Sequence, residues 1–175
     1  MRKIAVVFLS TFLIAAVASA QHGGGPAGAE RGPGGPGPEG HGIVGSDGTI
    51  YIPAVTEGST AGTATTKITA VRPAGTIAWT ATLNFAARPI LSGSNLIAES
   101  STRTDSVITT TLTAVSTASG ATVWTKTING HVELVPFSGG TYAFVTVPAA
   151  TSGGTATRSL VGIGNDGSTL FTLAL

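Results

Sequence analysis

From Ile43 onward the chain repeats itself, and this internal period constrains the fold more than any other feature of the sequence. Gly75-Thr-Ile-Ala-Trp79 returns as Gly120-Ala-Thr-Val-Trp124 and again as Gly167-Ser-Thr-Leu-Phe171, so the aromatic positions stand 45 and 47 residues apart. A second marker keeps the same phase: Gly48, Gly93 and Gly140 each precede their aromatic by 31 residues. Each opens an apolar run, Ile50-Tyr51-Ile52, Leu96-Ile97-Ala98 or Tyr142-Ala143-Phe144. Between the markers, Ile68/Ala70, Leu112/Ala114 and Leu160/Gly162 place a branched aliphatic and then a very small residue on one face of a strand. Units of this length are single supersecondary elements that bury their apolar faces by stacking on one another.

The repeating unit reads as β structure. Twenty-eight residues are Thr, a β-branched type that loses freedom in helices and packs well on pleated surfaces. In the middle period the spacing predicts runs over Arg88–Leu91, Leu96–Glu99, Val107–Val115 and Val123–Ile128, broken by Ser92-Gly93, the stretch Ser100–Ser106 and Ser119-Gly120. Asp47-Gly48 and Asp166-Gly167 are turn dipeptides. Four short strands in about 40 to 50 residues is the size of one β-propeller blade. The expected fold is therefore all-β, with three four-stranded blades over about 43–86, 87–130 and 131–175 forming a partial β-propeller. An immunoglobulin-like β-sandwich is the alternative, since it too uses short strands, but it leaves the internal period unexplained.

The residues before this region have a different character. Arg2-Lys3, the apolar run Ile4–Val17 and Ala18-Ser19-Ala20 follow the order of a secretory signal peptide over residues 1–20, with cleavage expected after Ala20. A membrane anchor would need a longer unbroken apolar run than one carrying Ser10 and Thr11. There is no Cys for lipoprotein processing and no paired arginine for twin-arginine export, so a secreted or periplasmic protein without membrane insertion is expected. Residues 21–42, QHGGGPAGAERGPGGPGPEGHG, have too few apolar side chains to offset the entropy of ordering and read as a flexible, disordered linker. Gly recurs there at 25, 28, 34, 37 and 40, but Arg31 breaks the series and six triplets are too few for a collagen-like helix. His22 and His41 read as solvated linker residues.

Composition excludes several functions. With no Cys the fold has neither disulfides nor thiolate metal sites. A net charge of +1 with 10% charged residues provides no electrostatic footprint for nucleic acid. After residue 42 the acids are Asp47, Glu57, Glu99, Asp105, Glu133 and Asp166, scattered and without an acid/base pairing in sequence. His131 is the lone histidine of the repeats, and a metal site needs more ligands than that. No Gly-x-Ser-x-Gly elbow occurs. No catalytic, cofactor-binding or metal-binding residue is therefore assigned, and no cofactor is expected. The positions that stand out are structural: Gly48, Gly75, Trp79, Gly93, Gly120, Trp124, Gly140, Gly167 and Phe171.

These repeats resemble the pyrroloquinoline-quinone-type (PQQ-like) β-propeller repeat family. The resemblance rests on Val44-Gly45-Ser46-Asp47-Gly48-Thr49-Ile50-Tyr51, which matches a Ser-x-Gly-x-x-Tyr strand opening, and on Gly75 to Trp79 and Gly120 to Trp124, which match a Gly-x-x-x-Trp turn and strand. The third repeat departs by carrying Phe171 in place of Trp. The resemblance covers Ile43 to Leu175 and implies that the Gly and Trp positions dock neighbouring blades. It also implies two functions: quinone-dependent alcohol or sugar oxidation, and non-enzymatic scaffolding. The small and scattered set of charged residues favours an exported binding or scaffolding module over a dehydrogenase relative, because a quinone site needs a carboxylate base, Ca²⁺ ligands and cations facing the cofactor. Carbohydrate or cell-envelope binding through Tyr51, Phe85, Phe137 and Tyr142 is a further alternative. The Ser/Thr/Gly-rich stretches Glu57–Thr66, Ser100–Ser106 and Thr151–Thr157 are expected to form three equivalent loops on one rim. Since propellers close with four to eight blades, three blades imply completion by another protein or by a second copy of the chain.

Overall fold

A computed structural model of the chain describes residues 42–60, 63–105, 107–149 and 154–175. The expected signal peptide and the linker up to His41, including His22, lie outside the described residues. Twelve strands run through the described residues: β1 (Ile43–Val44), β2 (Ile50–Glu57), β3 (Ala64–Val71), β4 (Ile77–Leu83), β5 (Ile90–Ser92), β6 (Asn95–Thr104), β7 (Val107–Ser116), β8 (Thr122–Asn129), β9 (His131–Phe137), β10 (Gly140–Val147), β11 (Thr157–Gly164) and β12 (Thr169–Ala174). They form three four-stranded antiparallel sheets, β1-β2-β3-β4, β5-β6-β7-β8 and β9-β10-β11-β12, each pairing in chain order. One sequence period makes one sheet.

The alternation of side chains decides which face each sheet buries. In the first sheet the register aligns Ile43, Tyr51, Ala70 and Trp79 on one rung, with Pro53, Ile68 and Ala81 on the same face. This face packs against Leu91, Leu96, Ala98 and Val115 of the second sheet. The opposite face of the second sheet presents Ile97, Leu112 and Ala114 to Ala143, Val145 and Ile163 of the third. Ile68 and Leu112 hold equivalent positions 44 residues apart and are both fully buried.

An aromatic ring seated on a glycine defines each junction. Gly120 lies in the turn between β7 and β8, and a Cβ added there would fall 2.6 Å from Cε3 of Trp79. Gly167, between β11 and β12, repeats the arrangement, with its added Cβ 2.8 Å from Cγ of Trp124. Both glycines also have a left-handed backbone, φ 74° and 83°, which other residues adopt at a cost. Each indole N–H donates across its junction at 2.9 Å, Trp79 to the Thr117 carbonyl and Trp124 to the Asn165 carbonyl. Within their own sheets Trp79 is paired with Ala70 and Trp124 with Ala114, so a small residue lies beside each ring as well as beneath it. A register shift follows immediately in the third strand of every sheet, at Ala70/Val71, Ala114/Val115 and Gly162/Ile163.

Threonine hydroxyls fasten the connections between sheets. Thr66 Oγ1 donates to the Phe85 carbonyl at 2.8 Å and accepts from the Ala87 N–H at 2.8 Å. Thr110, 44 residues later, donates to the Gly130 carbonyl at 2.7 Å. Asn95 and Ser92 of the second sheet donate to the Asn165 and Gly140 carbonyls of the third.

The strand boundaries differ from expectation in one instructive place. Ser100–Thr104 was expected in a loop but belongs to β6, paired with Val107–Thr111. The hydroxyls account for this: with the Thr110 proton given to the Gly130 carbonyl, Ser101 Oγ donates to Thr110 Oγ1 across the ladder at 2.8 Å. β6 ends at Thr104, and Asp105 follows it with φ 54°. In the first repeat β2 likewise runs through Glu57 and β3 begins at Ala64, with 61–62 outside the described residues. In the third, β11 begins at Thr157 and 151–153 lie outside the described residues.

Gly75 offers an internal control for the aromatic seats, because its φ is 77° but nothing lies within 4 Å of an added Cβ. Gly75→Ala should therefore cost only the backbone strain of a left-handed residue, about 1–2 kcal/mol. Gly120→Ala should cost about 1–3 kcal/mol more through collision with the Trp79 ring. Trp124→Ala should cost about 3–5 kcal/mol. Equilibrium denaturation of the three variants measures all of these, and equal losses for the two glycines would refute the seat.

Candidate functional site

The turns that begin the repeats converge on one cavity of about 650 Å³. Gly45, Ser46 and Asp47 come from the turn between β1 and β2, Gly93 and Ser94 from that between β5 and β6, and Pro136, Phe137 and Ser138 from the end of β9 and the turn after it. Thr117 and Ala118, between β7 and β8, complete the rim together with Tyr51 and Leu91. The volume suits a small ligand. Its polar lining is dominated by hydroxyl groups.

The one carboxylate at this rim is committed to its own turn. Asp47 Oδ1 accepts from the Thr49 N–H at 3.0 Å and Oδ2 from the Thr49 hydroxyl at 2.8 Å, and these bonds hold its carboxyl below the usual range. Asp166 does the same between β11 and β12, accepting from the Ser168 N–H at 3.0 Å and hydroxyl at 2.6 Å, and its carboxyl is likewise lowered. Acids tied into turns in this way carry charge without being poised as proton carriers. Tyr51 is almost fully buried beneath the rim, and burial pushes its phenol up.

Glu99 is the exception. It sits on β6 opposite Leu112, on the side of the second sheet that faces the third. Its Oε2 is buried with no hydrogen-bond partner, and burial raises its carboxyl above the usual range. Glu99 lies away from the cavity lining, so it acts on stability rather than on a ligand there.

The repeat glycines divide between two sets of turns at this end of the sheets. Gly48, Gly93 and Gly140 lie at the turns leading into the second strand of each sheet, and Gly75, Gly120 and Gly167 at the turns leading into the fourth. Trp79 and Trp124 sit between sheets, and Phe171 on the outer face of the third, 42% exposed. Of the four aromatic residues considered for carbohydrate, Tyr51 and Phe137 line the cavity, Tyr142 stacks on Phe137 at 4.4 Å between centroids, and Phe85 packs against the first core instead. His131 is exposed at the start of β9. Among the described residues no group of three His, Asp or Glu is placed to hold a metal ion. Sequence reasoning missed Thr66 and Thr110 because two fastening threonines are hidden among many; their common phase in the repeat was the available signal.

Glu99 makes a pH-dependent contribution of definite sign. A carboxyl whose folded pKa exceeds its unfolded value binds its proton more tightly in the native state, so stability falls as pH rises from the unfolded toward the folded value. Asp47 and Asp166 act oppositely, adding stability that is lost as pH falls through their lowered folded values. Glu99→Gln should therefore raise the thermal midpoint at neutral pH, and the gain should vanish below about pH 4, where the unfolded carboxyl is protonated too. Thermal melts across pH measure this difference. The sequence matches no known protein-family signature, and no characterised protein is significantly similar to it.

Proposed function

We propose that the protein is an exported, non-enzymatic binding or scaffolding module built from PQQ-like β-propeller repeats. The observation that carries the reading is the recurrence of one junction, Trp79 on Gly120 and Trp124 on Gly167, between consecutive four-stranded sheets. Stacked repeats of this kind serve chiefly to hold loops and faces in fixed relation for a partner. The disposition of the acids supports a non-catalytic role, with Asp47 and Asp166 bonded within turns and Glu99 facing a core. A cavity rimmed by Ser46, Ser94, Ser138 and Thr117 offers hydrogen bonds to a neutral ligand and little to the anionic carboxylates of a quinone. The same hydroxyls beside Phe137 favour carbohydrate as a second reading for the cavity.

Two experiments test the proposal. Incubation with pyrroloquinoline quinone and Ca²⁺ should give neither quinone uptake nor dye-linked oxidation of alcohols or sugars; reconstituted turnover would overturn the non-enzymatic assignment. Export predicts that fractionation finds the protein outside the cytoplasm with Gln21 as its N-terminal residue, whereas an uncleaved chain in the cytoplasm would refute it.

A further inference from the structure

We propose that the two outer sheets are the two halves of one further junction, and that the outer face of the third sheet in one copy binds the outer face of the first sheet in another. The inference rests on the reading of the chain as a stack of equivalent repeats, and it names the partner as a second copy of this chain.

The argument comes from comparing each outer face with its covered counterpart. On the first sheet the register aligns Val44, Ile50, Val71 and Ile77 on the face turned away from the second sheet. The same rung of the second sheet is Leu91, Leu96, Val115 and Thr122. There Leu96 and Val115 are 0% and 1% exposed beneath the first sheet, whereas Val44, Ile50 and Ile77 stand 64%, 41% and 63% exposed. The empty seat at Gly75 belongs to this outer end and corresponds to the seats that Gly120 and Gly167 offer to indole rings.

The third sheet supplies the missing ring. Its outer rung is Val135, Tyr142, Gly162 and Phe171, equivalent to Ile43, Tyr51, Ala70 and Trp79 in the first sheet and to Ile90, Ile97, Ala114 and Trp124 in the second. Phe171 lies over Gly162 as the tryptophans lie beside their alanines, and Phe144 and Leu173 on the next rung are 40% and 54% exposed. One end thus has a seat without a ring and the other a ring without a seat.

Side-chain size adds to the match. Ile52 occupies the outer position that is Ala98 and Ala143 in the covered faces, so the larger aliphatic opposes the smaller aromatic that replaces Trp. Lys67 is exposed on the outer face of the first sheet, and Glu133 and Arg158 on that of the third, which therefore offers the lysine one carboxylate but carries no net charge. Such a contact is heterologous: one patch meets a different patch, and the two copies carry two identical junctions when the assembly closes.

The test uses the gene product as processed on export, sized by light scattering over a wide concentration range. The expected result is twice the mass of one chain, or higher multiples, in equilibrium with monomer. Ile50→Glu disables one end and Phe171→Lys the other, so each variant alone should be monomeric, while an equimolar mixture should regain a pair through its one intact combination of ends. A parent protein that is folded by circular dichroism yet monomeric throughout overturns the inference, as does association that survives in either single variant. Neither result touches the non-enzymatic reading, which stands or falls on the quinone experiment.

Discussion

The architecture depends on a flat ring lying where no Cβ exists. An indole needs room on both faces, and the chain provides it twice over: a small residue beside the ring on its own sheet and a glycine turn from the next sheet against its other side. The N–H then reaches a turn carbonyl, so the ring is fixed in orientation as well as in depth. This single contact explains why three of the recurring positions share one phase. The aromatic, the small residue of the third strand and the glycine of the last turn are parts of one joint.

Around that joint the chain uses hydroxyls where many proteins use charge. Thr66, Thr110 and Thr141 are completely buried, and each hydroxyl reaches a backbone carbonyl. A buried hydroxyl with a partner costs little, and its β-branched carbon satisfies the pleated surface at the same time. Threonine therefore does two jobs in one residue, which is consistent with so few charged side chains. Glu99 marks the limit of this economy, a carboxyl facing a core with one oxygen unpaired.

Much of this was legible in the sequence, and the reasons for the failures are physical. The period and the number of sheets followed from Trp79, Trp124 and Phe171, which hold equivalent places in their sheets, and the phase of the seat glycines from Trp79 and Trp124, which make the same contact at each junction. Ser100–Thr104 was misread because turn-forming composition was weighed residue by residue, whereas Ser101 and Thr110 complete each other only once they are paired. The cavity was illegible for a related reason: its rim draws on four turns remote in sequence, and no short motif encodes their convergence. The vacant Gly75 seat is the subtlest case, since it shares the Gly-x-x-x-Trp pattern of Gly120, and only the structure distinguishes the seat with a ring against it from the seat without one.

The antiparallel meander separates the two ends of every strand by role. Turns into the second and fourth strands gather at one end and carry both the ring seats and the cavity, while the connections from second to third strand lie at the other. These distal connections begin after Glu57, Thr104 and Val147, and none of their described residues lines the cavity or belongs to either core. Lengthening or replacing them alters little that the core requires, since loop closure grows costlier only slowly with length. The molecule is thus a chassis with one fixed edge and one editable edge, on which three foreign peptides could be grafted in parallel without redesigning what holds the sheets together.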